Sequence, residues 1–286
     1  MAPYLSDTRP EAEAVLFELL RQAPPWRKLR TMDQLNQQMR ALALAGIRAR
    51  HPLADEAEVQ RHLADLLLGP ALATKVYNAS ANALPLSEAT NRMNNDVTTV
   101  TLHVVTILEE LRIPYVIGGS LASTFHGVAR TTLDAAIVAD IRFEHLPVLM
   151  ARLQDDFYIA HEALSDAIEH HSSFNIIHLT TLFKVDIFIP KPRAFDAAQL
   201  AHGVRGQLSP DSEQSVVILS AEDIILAKLE WYHLGNALFE RQWQDITGIM
   251  RVQTHRLDLT YLQMMAATLG VSDLLDKALQ EAALSP

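Results

Sequence analysis

Ile117-Gly118-Gly119-Ser120-Leu121-Ala122, followed at residue 130 by Arg130-Thr131-Thr132-Leu133-Asp134-Ala135-Ala136-Ile137-Val138, is the stretch that decides the fold. Tyr115-Val116-Ile117 is a short apolar run that reads as a strand. The two glycines after it allow a tight strand-to-helix turn and a close backbone approach to a phosphate, and the helix start offers unpaired N–H groups. Ser120 adds a hydroxyl. A plain turn capped by Ser120 explains the same residues equally well.

Leu133 to Ala139 reads as the next strand. Asp134 stands in it among apolar neighbours, where a carboxylate is costly to bury without a partner. Side chains alternate along a strand, so 134 and 136 share a face, about 6–7 Å apart. Two acids there would clamp a divalent cation, but the second position is Ala136. Asp140 has the same parity but lies about 20 Å along an extended strand, too far to substitute. Lys184-Val185-Asp186-Ile187-Phe188 supplies a second acid in an apolar strand. A salt-bridged strand residue with Lys184 at its margin is the plain alternative for Asp186.

Outward from this core the pattern alternates. A helix is predicted over 97–112, a short one up to Gly127, and another over 143–153. Phe157–Ile159 is a strand, a helix follows near 163–170, and strands at 174–179 and 183–189 meet at a turn at Thr180-Thr181. Alternation predicts an α/β fold (α+β in its segregation), and the closing hairpin predicts a mixed sheet flanked by helices. Ser220 heads a helical tail, with helices near 221–234, 238–252, 258–268 and 271–284.

Residues 1–78 read as an all-helical module. Thr8-Arg9-Pro10-Glu11 has the form of a capping box, and Asp55-Glu56-Ala57-Glu58 is a second helix start. A long helix runs from about Trp26 to Arg50, and Gly69-Pro70 ends the one after it. Residues 79–95, rich in Asn, Ala and Ser, read as a linker. Residues 96–286 form the remaining domain, an α/β core over 96–190 and a mostly helical part over 191–286.

The chain has 286 residues, 49% hydrophobic, no cysteine and a net charge of −10. Residues 1–80 hold 10 basic and 9 acidic side chains, and the rest hold 14 and 25. So acidic a domain is a poor generic nucleic-acid binder, because phosphate neutralisation supplies most of that affinity. Thiolate metal sites and disulfides are excluded. No signal peptide and no bilayer-length apolar run are seen, so a cytoplasmic location off the membrane is expected.

Gly-Gly-Ser, an acid-bearing strand and a later single acid together resemble the polymerase-beta-like nucleotidyltransferase superfamily. Residues 96–285 are similar to the AbiEii-type and minimal nucleotidyltransferases of toxin–antitoxin and abortive-infection (phage-defence) systems. The likeness extends to Ser220-Ala221-Glu222-Asp223-Ile224-Ile225-Leu226-Ala227-Lys228-Leu229-Glu230 and Arg241-Gln242-Trp243-Gln244-Asp245-Ile246. It implies transfer of NMP from an NTP to a hydroxyl, on a tRNA end or a protein. Asp134 and Asp186 would hold Mg²⁺ or Mn²⁺, and Asp186 would take the acceptor's proton. Gly118, Gly119 and Ser120 would cradle phosphates. Lys228 would reach the triphosphate, Arg130 would help neutralise it, and Asp245 would support the site. A cognate toxin or antitoxin partner is expected.

Ala136 departs from the family's Asp-x-Asp. It marks an inactivating substitution, a natural pseudoenzyme that only binds nucleotide or partner, or replacement by another acid. Plain readings stand beside several residues: Lys228 as a solvated helix residue, Asp245 as a surface partner of Arg241, Trp231-Tyr232 as core, and Trp26-Arg27-Lys28-Leu29-Arg30 as a solvated helix face. Neighbouring His170-His171 point apart on a helix and make a weak metal motif.

Overall fold

A computed structural model describes residues 8–80, 97–210, 212–235 and 240–282. By contact the chain falls into two compact units. One comprises residues 32–115 and 131–191; the other comprises 1–31, 116–130 and 192–286. The sequence-based division at 79–95 rests on composition, and residues 81–95 lie outside the described ones.

The first unit holds most of α2 (Pro25–Arg50), then α3 (Glu56–Leu68), α4 (Pro70–Ser80) and α5 (Val97–Glu110). Its strands are β2 (Asp134–Ala139), β3 (Phe157–Ile159), β4 (Ser173–His178) and β5 (Lys184–Phe188), in the order β3-β4-β5-β2. The β2–β5 pair is parallel, while β4 is antiparallel to both β5 and β3. The predicted mixed α/β character therefore holds, including the 180–181 turn. Helices α7 (Leu146–Leu153) and α8 (His161–His170) pack beside β3 and β4, and α5 lies against β2. Ala135, Ile137, Ala139, Val185 and Ile187 are fully buried on one face. A one-residue slip would expose them all, at about 1.5–3 kcal/mol for each Val or Ile, so the register is pinned. Leu67, Leu68, Leu72 and Val76 pack with Ile177, Leu179 and Leu182, which joins α3 and α4 to the end of β4 and its turn.

The second unit holds α1 (Pro10–Gln22), most of β1 (Tyr115–Ile117), α6 (Gly119–His126), α9 (Ala194–Ala201), β6 (Val204–Gly206) and β7 (Val216–Ile218). It ends with α10 (Ala221–Leu234), α11 (Glu240–Gln253), α12 (Leu259–Leu269) and α13 (Ser272–Glu281). Here β7 pairs parallel with β1 and antiparallel with β6. Helix α6 packs on α10 and α11. A Cβ at Gly127 would stand 2.9 Å from both the Ile249 side chain and the Ser123 carbonyl, so only glycine lets α6 close against α11.

Local signals fared unevenly. Asp55 and Glu58 form both bonds of a capping box, and Ser220 accepts from the Asp223 N–H. The Thr8 capping box is absent: Arg9 is the N-cap and makes no side-chain bond, and Pro10 in the first turn starts the helix. Gly69 ends α3 with φ 78°, and Pro70 at once begins α4. Helix α9 and strands β6 and β7 were not anticipated. The two strands are three residues each, too short for a period to declare itself.

Candidate active site: two constellations

The first constellation is a square of side chains on the half-open face of β2 and β5. Parallel register sets Asp134 opposite Lys184 and Ala136 opposite Asp186. Alternation puts all four on the same face, away from the buried Ile and Val row. The Lys184 ammonium lies 3.0 Å from Asp186 Oδ2 and 3.9 Å from Asp134 Oδ2. The two carboxylates thus converge on one cation, and that cation is Lys184. Asp134 also accepts from the Thr132 hydroxyl at 3.1 Å. Burial pushes the Asp186 pKa up and Asp134 adds to the rise, while Lys184 opposes it.

Both acids were expected to be buried, and this is corrected: the side chains are 45% and 24% exposed for Asp134 and Asp186. The strand's open face, not its core face, carries them, so the burial cost that singled them out is smaller than the sequence suggested.

Do these residues fit a metal centre? Two carboxylates directed at one point suit a single Mg²⁺ or Mn²⁺ that completes its shell from water and phosphate oxygens. They do not suit a two-metal centre. The corner beside Asp186 is the methyl of Ala136, and among the described residues no group of three His, Cys, Asp or Glu is arranged to hold a metal. The replacement of position 136 by another acid therefore finds no support among them. Asp140, just past β2, pairs with Arg142 at 2.7 Å.

The second constellation belongs to the other unit and centres on Asp245 of α11. Arg130 grips its carboxylate with two bonds of 2.7 Å, and Lys228 of α10 approaches to 2.8 Å. Arg130 also donates to the Ser120 hydroxyl at 2.9 Å, and Lys228 donates to Gln242 at 2.7 Å. Burial alone would raise the Asp245 pKa. The Arg130 bonds and the Lys228 charge outweigh it and hold the carboxyl below its ordinary value of 3.8. Gln242 and Asp245 are three apart on α11, so one helix face presents both to Lys228.

Both plain readings of this pair are overturned. Lys228 is buried rather than solvated, and Asp245 is buried against Arg130 and Lys228 rather than paired on the surface with Arg241. The helix packing of α10 on α11 decides this, and no local spacing revealed it. Gly118 is the N-cap of α6, and Gly119 has φ 56°, the left-handed region that favours glycine. Ser120 is drawn into the Arg130 network.

Elsewhere, Trp231 is half exposed and Tyr232 tilts onto Trp243 at 5.2 Å, so the aromatic pair is not a shared core element. Of the basic cluster at 26–30, Arg27 and Arg30 are exposed, as the solvated-face reading has it, whereas Lys28, against that reading, is buried. Its burial, aided by Arg256, lowers its pKa to about 8. The plain reading of Asp186, a strand residue salt-bridged to Lys184, holds at 3.0 Å, while the sequence reading did not anticipate Gln242.

The family described as Rv0078B-related antitoxin matches residues 21–93, about a quarter of the chain. A search of curated proteins finds no match. Among solved structures, the chain is similar to an antigenic nucleotidyltransferase-like protein from Paracoccidioides brasiliensis, at 18% identity. The likeness covers 63% of this chain and 91% of that one, at a TM-score of 0.38. It is also similar to the antibiotic-resistance factor ANT(2'')-Ia, at 13% identity over 64% of this chain and 97% of that one, again at a TM-score of 0.38. Both are loose likenesses.

Proposed function

We propose that this chain joins an antitoxin-like helical module, over 1–78, to a nucleotidyltransferase domain of the toxin–antitoxin or abortive-infection kind, over 96–286. The domain would transfer NMP from an NTP to a hydroxyl of RNA or protein, with transfer weakened by Ala136. The observation that carries the reading is the convergence of Asp134 and Asp186, on neighbouring parallel strands, upon one cation position. The order Gly-Gly-Ser, Asp134, Asp186 along the chain supports it, as does the antitoxin-related match over 21–93.

In this reading Asp134 and Asp186 hold Mg²⁺ once Lys184 swings aside. A bound cation would supply charge stabilisation at the reacting phosphate. Asp186, whose pKa burial raises, is suited to accept the acceptor's proton. The resemblance assigns phosphate neutralisation to Lys228 and Arg130, which Asp245 holds, and phosphate cradling to Gly118, Gly119 and Ser120.

The second reading is a catalytically silent module that binds nucleotide or a cognate partner. Lys184 favours it, because its ammonium already pairs with Asp186 at 3.0 Å and stands 3.9 Å from Asp134, at the position a metal would take. Incubating the unaltered chain and Ala136→Asp with labelled NTPs, Mg²⁺, total tRNA and cell lysate separates the two. Label transfer that is faint in the unaltered chain and strong in Ala136→Asp supports the enzyme. NTP binding without transfer in both supports the silent module. Absence of both NTP binding and transfer, in folded protein, rejects the nucleotide reading altogether.

A further inference from the structure

Helix α2 presents three polar side chains, Asp33, Asn36 and Arg40, at the spacing of a single helical face. Each reaches a different part of the strand-bearing unit. Asp33 accepts from the buried Thr98 hydroxyl at 2.6 Å, and Arg40 donates to the Thr181 carbonyl, in the β4–β5 turn, at 2.7 Å. Asn36 Oδ1 accepts from the buried Thr132 N–H at 2.9 Å. The Thr132 hydroxyl, in turn, lies 3.1 Å from Asp134 Oδ1 and 3.0 Å from the Asp134 carbonyl.

A chain of contacts therefore runs from α2 to the first candidate metal ligand. The Thr132 hydroxyl takes up a lone pair on Asp134 Oδ1, and Lys184 stands 3.9 Å from Oδ2, an ionic approach without a hydrogen bond. The clamp is also incomplete: the buried Asn36 Nδ2 has no acceptor among the described residues. A buried donor left unmet is unfavourable, so Asn36 is held for its one acceptor bond and at a cost. Tight apolar packing would give a permanent joint. A polar contact with an unmet donor gives one that releases more readily.

We propose that α2 is an inhibitory restraint built into the chain. Through Asn36 it fixes Thr132, and through Thr132 it keeps the Asp134 carboxylate hydrogen-bonded and closed to divalent cations. The proposal rests on the nucleotidyltransferase reading above and names how the antitoxin-like segment would act in cis. Asn36 is a positioning residue, since it acts on Asp134 through Thr132.

The test follows Mn²⁺ binding by electron paramagnetic resonance, in the full chain, in an Ala136→Asp background. Asn36→Leu removes the acceptor and Asn36→Asp keeps it. The restraint predicts that Asn36→Leu tightens Mn²⁺ binding by up to about tenfold, the worth of one hydrogen bond, and speeds amide exchange at Thr132–Asp134. Asn36→Asp should match its parent. Arg40→Ala, which frees only the Thr181 carbonyl, should leave Mn²⁺ affinity unchanged and serves as a folding-matched control. Equal or weaker Mn²⁺ binding in Asn36→Leu, with Ala136→Asp alone binding well, overturns the restraint and leaves the enzyme reading intact. No Mn²⁺ binding in any variant overturns both. Should Asn36→Leu fail to fold, Asn36→Ser with the same readouts decides.

Discussion

Asp245 balances two cations on one carboxylate, and few residues in the chain should be less tolerant of change. Replacing it with Asn leaves the buried Lys228 and the Arg130 fork without their counter-ion. Breaking such a pair from one side costs about 3–5 kcal/mol. Chemical denaturation of Asp245→Asn should show a loss of that order, and Lys228→Met, which removes one cation and keeps the Arg130 bonds, a smaller one. Because the folded Asp245 pKa lies below 3.8, its contribution is present in full above that value. It disappears as pH falls through the lower, folded value. Lys184 offers a prediction of the opposite kind. Lys184→Met removes the ammonium that Asp134 and Asp186 share, so the pair should gain affinity for Mn²⁺, measured by titration calorimetry. An unchanged affinity would mean that Lys184 does not compete for that position.

At the scale of elements, the β2–β5 pair does what alternation demanded. Asp134 and position 136 share a face, and parallel register brings Asp186 beside 136. The shared face of 134 and 136 was legible, because a period of two is a property of the strand alone, whereas the register that sets Asp186 beside 136 was not. Which face is open was not legible: Ala135 and Ile137 are buried while Asp134 and Asp186 are partly exposed, an outcome set by what packs on the sheet. Long-range partners were also hidden. Arg130 meets Asp245 across 115 positions of sequence, and nothing near either residue announces it. The glycine turn makes a checkable claim. Gly119 sits at φ 56°, so Gly119→Ala should cost about 1–2 kcal/mol by backbone strain, read as a shift in the thermal midpoint. Helix α6 should keep its place, since Gly127 governs its closure on α11.

For the whole molecule, acid is the natural stress. Among the described residues no helix is long and apolar enough to cross a membrane, and the chain carries a net charge of −10. His126 and His178 are buried, and burial lowers each from 6.5 to about 4. His126 is held at Nε2 by the Leu219 carbonyl, and His178 by the Thr181 hydroxyl. Both are neutral when folded, so the unfolded chain binds their protons first. Stability from these two groups is present above pH 6.5 and is lost as pH falls toward 4, on the order of 3 kcal/mol for each. Denaturation midpoints across that range should fall steadily, and His178→Gln should flatten part of the slope. A flat profile between 6.5 and 4 would show that these imidazoles are not buried neutral.

Asp134 and Asp186 face one cation position, and beside them position 136 carries a methyl in place of a third carboxylate. Titrating Mn²⁺ into the unaltered chain, Ala136→Asp and Ala136→Asp with Asp186→Asn tests this most directly. Restoring the carboxylate should tighten binding at least about tenfold, since each added carboxylate ligand raises affinity for a hard divalent cation, and removing Asp186 should abolish the gain. Equal affinity in all three proteins would contradict it.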